Sequence, residues 1–170
     1  MKTKIGTAML LVLAILTAAT FYPAHAQETF DISKYLGNWR GCGEAYIPYL
    51  GTSLAFDGKA SFHNDSTGAY VRTAASGQAL LLTYADSGRF VIDPASDSIT
   101  WDIWDNFGRY SQYHGVAQGD MLKGKQKRGS LVYTMITRFL SSDSIVVTIS
   151  TTDSEGVVTE RAKINLGRER

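Results

Sequence analysis

The chain has 170 residues, of which 44% are hydrophobic and 19% charged, with 17 Lys and Arg against 16 Asp and Glu. This near-neutral balance gives no electrostatic argument for a nucleic-acid or anionic-membrane partner, because such partners are bound through an excess of positive charge. Cys42 is the only cysteine, which excludes an intramolecular disulfide and any zinc site built from several cysteines.

The first residues have the pattern of a secretory signal peptide. A positively charged start is followed by an apolar run from Ala8 to Ala19 and then by Ala24-His25-Ala26, a small-x-small sequence of the kind that signal peptidase cleaves. The apolar run is shorter than the roughly 20 residues of a membrane-spanning helix. We therefore expect cleavage after Ala26, no membrane insertion afterwards, and a single domain of residues 27–170 in the periplasm or the medium of a bacterium. The alternative is an uncleaved anchor.

Beyond the signal, short segments of alternating apolar and polar residues recur about every 8 to 14 residues, separated by Gly, Asp, Asn and Ser, which is typical of antiparallel strands. In one of them Ile145, Val147 and Ile149 share a face. The predicted strands are 36–46, 53–62, 69–74, 78–84, 89–92, 98–104, 108–116, 121–126, 130–139, 144–151 and 157–166. Since closing such a meander removes its exposed edges, the sequence predicts an all-β, up-and-down antiparallel barrel of about ten strands.

The first strand reads Tyr35-Leu36-Gly37-Asn38-Trp39-Arg40-Gly41. A Gly-x-Trp at this position, followed by a meander, resembles the calycin superfamily of lipocalins, fatty-acid-binding proteins and their bacterial relatives. The resemblance implies that Trp39 closes the floor of the barrel and that an Arg near the last strand, Arg168 or Arg170, packs across it. The second lipocalin motif of the Thr-Asp-Tyr kind is absent, and residues 47–52 are too short for a helical lid. The chain therefore resembles a divergent bacterial lipocalin-like protein.

The first strand also predicts space inside the barrel. If Trp39 points inward, the pleat places Gly41, Gly43 and Ala45 on the same side, and three small residues above the closing Trp leave room for a ligand. The alternative is that these glycines only permit strong coiling of the strand. Cys42 then faces outward, where no neighbouring base is indicated that would activate it.

Four further residues are candidates for ligand contact. Trp101 lies on an apolar face that is expected to point inward, and Tyr110 adds a second aromatic ring with a polar tip. His114 shares a face with Tyr110 and could look inward, where an imidazole can bind haem iron. Arg138 follows three apolar or small residues on one face and could bind a ligand carboxylate, the alternative being an Arg that reaches solvent.

These observations predict an exported protein that holds a small, largely apolar or aromatic ligand in a barrel lumen. Two alternatives remain at this stage. One is a calycin-type enzyme, or a haem-binding barrel that uses His114. The other is a protein-interaction module with a filled barrel. The sequence indicates no catalytic constellation and no metal-binding cluster, and it predicts no cofactor apart from the haem alternative.

Overall fold

The structure is a computed structural model that describes residues 30–47, 50–79 and 82–170. The predicted signal peptide lies outside these residues. A short 3-10 helix, Ile32–Lys34, precedes ten strands. The strands are β1 Gly37–Ile47, β2 Thr52–Asn64, β3 Val71–Ala79, β4 Leu82–Asp93, β5 Ser98–Asp105, β6 Tyr110–Gln118, β7 Met121–Arg128, β8 Leu131–Ser141, β9 Ser144–Thr152 and β10 Val158–Arg168.

Each strand pairs antiparallel with the next along the chain, and β1 pairs with β10, so the sheet closes into a barrel. The predicted all-β, up-and-down antiparallel barrel of about ten strands is confirmed. Within the described ranges, no helix has the length and apolar character needed to cross a membrane.

The alternation read from the sequence sets the two faces of the barrel wall. On β9, Ile145 is buried and Val147 and Ile149 pack against the core. On β1, Arg40, Cys42 and Glu44 are exposed. The inward side chains therefore form a continuous core, as expected for an antiparallel sheet with one wet face.

One end of the barrel is closed by a floor cluster, which consists of Tyr35, Trp39, Phe62 and Phe139. Tyr35 and Trp39 are fully buried. The Tyr35 ring packs against Phe62 and Phe139 at centroid distances of 6.1 and 5.8 Å, and the Trp39 indole N–H donates to the Tyr35 carbonyl at 2.9 Å. The segment before β1 thus plugs the end where β1 begins.

Arg168 closes the floor from outside. Its guanidinium carbon lies 4.2 Å from the centroid of the Trp39 ring. It also donates to the carbonyls of Leu36 at 2.6 Å, Lys34 at 2.8 Å and Ser142 at 2.9 Å. Of the two arginines that the resemblance offered for this position, Arg168 occupies it, whereas Arg170 is exposed and approaches Asp143 at 3.8 Å.

Two predicted strand breaks are not breaks in the structure. The sequence predicts one break between strands 69–74 and 78–84 and another between 78–84 and 89–92, but β3 runs without interruption from Val71 to Ala79 and β4 from Leu82 to Asp93. The reason for Gly88 is close approach rather than a turn. A Cβ there would lie 2.5 Å from the Asp102 carbonyl oxygen and 2.7 Å from Thr73 Oγ1.

Gly41 and Gly43 have a similar role on β1. A Cβ at Gly41 would lie 1.9 Å from the carbonyl oxygen of Asn165, and one at Gly43 would lie 2.2 Å from that of Lys163. Since real Cβ atoms do not approach backbone oxygens so closely, these glycines let β1 bend onto β10. The structure therefore favours the interpretation that they permit coiling of the strand.

Candidate functional site

The barrel is not filled. Above the floor cluster it contains a cavity of about 750 Å³, which falls within the range of about 300–1,000 Å³ for small-molecule sites. The cavity extends toward the opposite end, the mouth, where Phe107 and Arg109 lie at its edge. The filled barrel on which the interaction-module alternative depended is therefore not what the structure shows.

The wall of the cavity is mostly apolar. Alanines alternate with aromatic and branched aliphatic side chains, and this mixture leaves volume between apolar surfaces. The inward-facing apolar lining includes Ala45, Phe56, Ala60, Phe62, Ala75, Trp101, Ile103, Tyr113, Met135, Val147, Ile149, Ala162, Ile164 and Leu166.

A carboxylate on β4 faces this apolar wall. Asp86 pairs with Asp105 across β4 and β5, and its side chain accepts a hydrogen bond from the Tyr84 hydroxyl at 2.7 Å. Burial raises the pKa of the Asp86 carboxyl, and the nearby Asp105 charge raises it further. Hydrogen bonds from the Tyr84 hydroxyl and the Ala75 backbone N–H lower this pKa but do not cancel the rise. Asp86 thus places a carboxylate at the edge of a mostly apolar cavity, and the Tyr84 hydroxyl orients this carboxylate.

The neighbouring carboxylate is already neutralised. Asp105 accepts from Arg109 Nε at 2.7 Å and from the backbone N–H groups of Phe107 and Arg109. Burial opposes ionisation most strongly, but these donors together lower the pKa of Asp105. By contrast, no Lys, Arg or His in the described ranges lies within ion-pair distance of Asp86.

Two threonines bring hydroxyl groups to the deeper part of the cavity. Thr73 accepts from the Trp101 indole N–H at 3.2 Å, so its hydroxyl is used. Thr137 is 1% exposed and lines the cavity beside the floor cluster, yet its Oγ1 has no hydrogen-bond partner among the described residues. Buried hydroxyls normally have hydrogen-bond partners, so the Thr137 hydroxyl is available for a hydrogen bond at the floor end of the cavity.

Of the predicted ligand-contacting residues, Trp101 lines the cavity. Gly41 and Gly43 do not border the cavity, since β1 bends onto β10 at these two residues. Ala45 is the residue of β1 that borders it. Tyr110 is half-exposed on the outer face, where its hydroxyl donates to Asp102 at 2.6 Å and its ring packs on Trp104.

His114 shares the outer face with Tyr110. It is exposed, with its ring nitrogens 3.0 Å from Gln112 Oε1 and 3.4 Å from Thr100 Oγ1, so the expectation that it could look inward is wrong. His63 is also exposed and lies 3.3 Å from Asn38. The part of the chain described here therefore offers no imidazole to a haem iron in the lumen, and it contains no group of three potential metal ligands.

Arg138 is on the outer face as well. It pairs with Met121 across β7 and β8, is exposed, and lies 3.9 Å from the Met121 sulfur. The alternative for Arg138, an arginine that reaches solvent, is the one that the structure shows. The side chains of β8 that point inward are those of opposite parity, Met135 and Thr137.

The polar residues of the mouth were missed by sequence reasoning. Asp86 lies between the predicted strands 78–84 and 89–92, next to the apparent break at Ser87-Gly88. Tyr84-Ala85-Asp86 does carry a signal, because residues two apart on a strand share a face, but only the register with β5 shows that this face is the inner one.

A second concave region lies on the outer face of β2, β3 and β4. It has a volume of about 670 Å³ and is bordered by polar residues that include Ser61, His63 and Arg72. His63 and Arg72 are exposed, so this region is a depression in the surface rather than an enclosed site. The lumen is the better candidate for holding a small molecule.

No protein-family model matches the chain, and no curated protein matches it. Among solved structures, Rv2717c from M. tuberculosis is similar with a TM-score of 0.64 and 12% identity, covering 82% of this chain and 95% of its own. CPES, an S-type phycobiliprotein lyase from Guillardia theta, is similar with a TM-score of 0.56 and 8% identity, covering 82% and 90%. The chain therefore has the ten-stranded, calycin-like barrel fold of these proteins.

Proposed function

We propose that the protein is an exported binding protein that holds one small, largely apolar molecule in the barrel lumen. The observation that carries this proposal is the cavity of about 750 Å³ between a sealed floor and the mouth, lined by apolar side chains. Transfer of an apolar molecule from water into such a space is favourable, at about 25 cal/mol per Å² of apolar surface removed from water. The signal-like segment at the start of the chain supports export.

The fold alone does not choose between holding a molecule and converting it, since CPES has a similar barrel and is a phycobiliprotein lyase. The residues of this lumen favour holding. In the described ranges, its two carboxylates accept hydrogen bonds at the mouth, Asp86 from Tyr84 and Asp105 from Arg109, and the apolar wall presents no nucleophile beside a base.

The proposal is tested with N-phenyl-1-naphthylamine, a neutral probe whose fluorescence rises in apolar surroundings. We expect saturable binding at one site per chain. In the variant Ala45→Trp, a large ring would enter the upper lumen and should abolish this binding. The matched control is Glu44→Trp, which places the same ring one residue earlier on the exposed outer face and should bind as the unaltered protein does.

Circular dichroism and thermal unfolding establish that both variants are folded. Equal binding by the two Trp variants would contradict the proposal, because it would place the probe outside the lumen. Absence of probe binding by the unaltered protein would contradict it too. Native mass spectrometry of the protein as purified adds an independent check, in which a co-purified small molecule is expected to be lost in Ala45→Trp alone.

A further inference from the structure

Among the described residues of the inner wall, one carboxylate has no cationic partner, and this determines which ligands the lumen can prefer. Asp86 faces the cavity from β4, and its described side-chain partner is the Tyr84 hydroxyl. Its neighbour Asp105 is neutralised by Arg109 at 2.7 Å. The mouth therefore presents one negative charge that no described side chain balances.

A charge in an apolar wall is costly unless it is paired. Asp86 is half-buried. Its side chain points to the inner face of β4, because residues an even number apart on a strand share a face and Phe90, four residues later, is buried in the core. No described cation lies within ion-pair distance of Asp86, and a ligand with a positive group would complete the pair.

A second polar atom lies at the other end of the same cavity. Thr137 Oγ1 is buried, borders the lumen next to the floor cluster and has no partner in the described chain. Between Asp86 at the mouth and Thr137 at the floor the wall is apolar, with Trp101, Met135 and Ile149 among its residues. The site thus has an apolar body with polar atoms at its two ends.

We propose that the lumen selects amphiphilic cations, in which an apolar body fills the barrel and a protonated amine or amidine at one end binds Asp86 at the mouth. This inference rests on the proposed function, since it names the ligand class of the same cavity. An anionic head group is disfavoured there by Asp86, and a neutral one gains no charge pairing. Thr137 is placed to accept or donate one hydrogen bond at the far end of the body.

The test compares three ligands with the same apolar chain and different head groups: decylammonium, decanol and decanoate. Each displaces bound N-phenyl-1-naphthylamine, all at concentrations below micelle formation. Because a hydrogen bond to a charged group is stronger than one between neutral groups, we expect decylammonium to bind about tenfold more tightly than decanol. Decanoate is expected to bind least tightly of the three.

The variant Asp86→Asn keeps the shape of the side chain and removes its charge. We expect it to reduce the preference for decylammonium over decanol to less than about twofold. The control Glu44→Gln makes the same change in net charge on the exposed outer face of β1 and should preserve the preference. This comparison separates a local pair from the effect of overall charge.

The preference should also fade on acidification. The groups that face Asp86 are Tyr84, Tyr113, Asp105 and Arg109, and of these Asp105 has a lowered pKa and remains ionised when Asp86 takes up its proton. An alkylammonium remains protonated throughout. Loss of selectivity at acidic pH in the unaltered protein, with little change in Asp86→Asn, is therefore the expected result.

The outcomes are distinguishable. Failure of all ligands and of the naphthylamine probe to bind would overturn the proposed function itself. Binding of decanol with equal or tighter affinity than decylammonium, or a preference that persists in Asp86→Asn, would overturn the cationic-ligand inference and leave the carrier function standing. Tightest binding by decanoate would also overturn this inference, because it would indicate that Arg109 rather than Asp86 binds the head group at the mouth.

Discussion

Substitution of Arg168 should destabilise the barrel more than any other change at the chain terminus. The side chain lies 4.2 Å from the Trp39 ring and donates three hydrogen bonds to the carbonyls of Lys34, Leu36 and Ser142. We assign about 1 kcal/mol to the cation–π contact and about 2 kcal/mol to the three hydrogen bonds together, since two of them are exposed and screened by solvent. Arg168→Ala should therefore lower the free energy of unfolding by about 3 kcal/mol.

Urea unfolding followed by far-ultraviolet circular dichroism measures this change, and thermal unfolding should show a fall of about 10 °C in Tm. The matched control is Arg170→Ala. Arg170 is exposed, and its contact with Asp143 spans 3.8 Å, so its loss should cost less than about 0.5 kcal/mol. Arg168→Lys keeps the charge but not the planar guanidinium, and we expect it to recover no more than about 1 kcal/mol of the loss.

Equal unfolding free energies for Arg168→Ala and Arg170→Ala would refute this reasoning, because they would show that the floor holds without the guanidinium. Full recovery by Arg168→Lys would also contradict it, since the geometry assigns the stabilisation to donors in fixed directions rather than to charge alone.

Three other substitutions test the polar groups of the barrel by the same unfolding assay. Thr137→Val removes a buried hydroxyl without a partner and should stabilise the protein by about 1 kcal/mol, and a loss of stability would show that Oγ1 is satisfied. Asp102→Asn should cost about 1–2 kcal/mol near neutral pH, because Asp102 accepts from Tyr110, Gln112 and Arg89 on the outer face. Burial opposes ionisation of Asp102, but those donors lower its pKa overall. The difference in unfolding free energy between the variant and the unaltered protein should therefore shrink as the pH falls below about 4. A difference that does not depend on pH would contradict this role of Asp102. Asp86→Asn should be more stable than the unaltered protein at pH 7. Burial raises the pKa of the Asp86 carboxyl above 3.8, so ionisation of Asp86 destabilises the folded protein as the pH rises through the folded-state pKa. A variant less stable than the unaltered protein at pH 7 would contradict this prediction.

Much of the fold could be predicted from local sequence because the relevant signals are local. Alternation on β9 gave the correct face for Ile145, and Gly-x-Trp located the start of β1 and the burial of Trp39. The pairing of Trp39 with an arginine near the C-terminus followed from the family resemblance, and Arg168 stands opposite Trp39 in the register of β1 and β10.

The inner face was assigned wrongly where both faces of a strand carry similar residues. On β6, Tyr110 and His114 alternate with Tyr113 and Ala117, so periodicity alone cannot decide which set is buried. On β8, Ile136 and Arg138 face outward although Ile136 is as apolar as the buried Met135. Only pairing with the neighbouring strands settles such cases, and that information is not local.

The polar groups of the cavity were hidden for a related reason. Asp86, Ser87 and Gly88 have the composition of a turn, but Gly88 is required by the close approach of Asp102 and Thr73 within a continuous strand. Thr137 Oγ1 has no hydrogen-bond partner within the part of the chain that the structure describes, and no sequence pattern indicates this, because it depends on every side chain around the hydroxyl.

The central claim, that the lumen holds a small apolar molecule, is tested most directly by methyl NMR of the methionines during titration with N-phenyl-1-naphthylamine. Met135 is buried and lines the cavity, whereas Met121 lies on the outer face of β7 beside Arg138. Binding in the lumen should shift the Met135 methyl resonance saturably, because the aromatic rings of the probe would lie close to it, and should leave the Met121 resonance unmoved. A shift of Met121 with Met135 unchanged would contradict it.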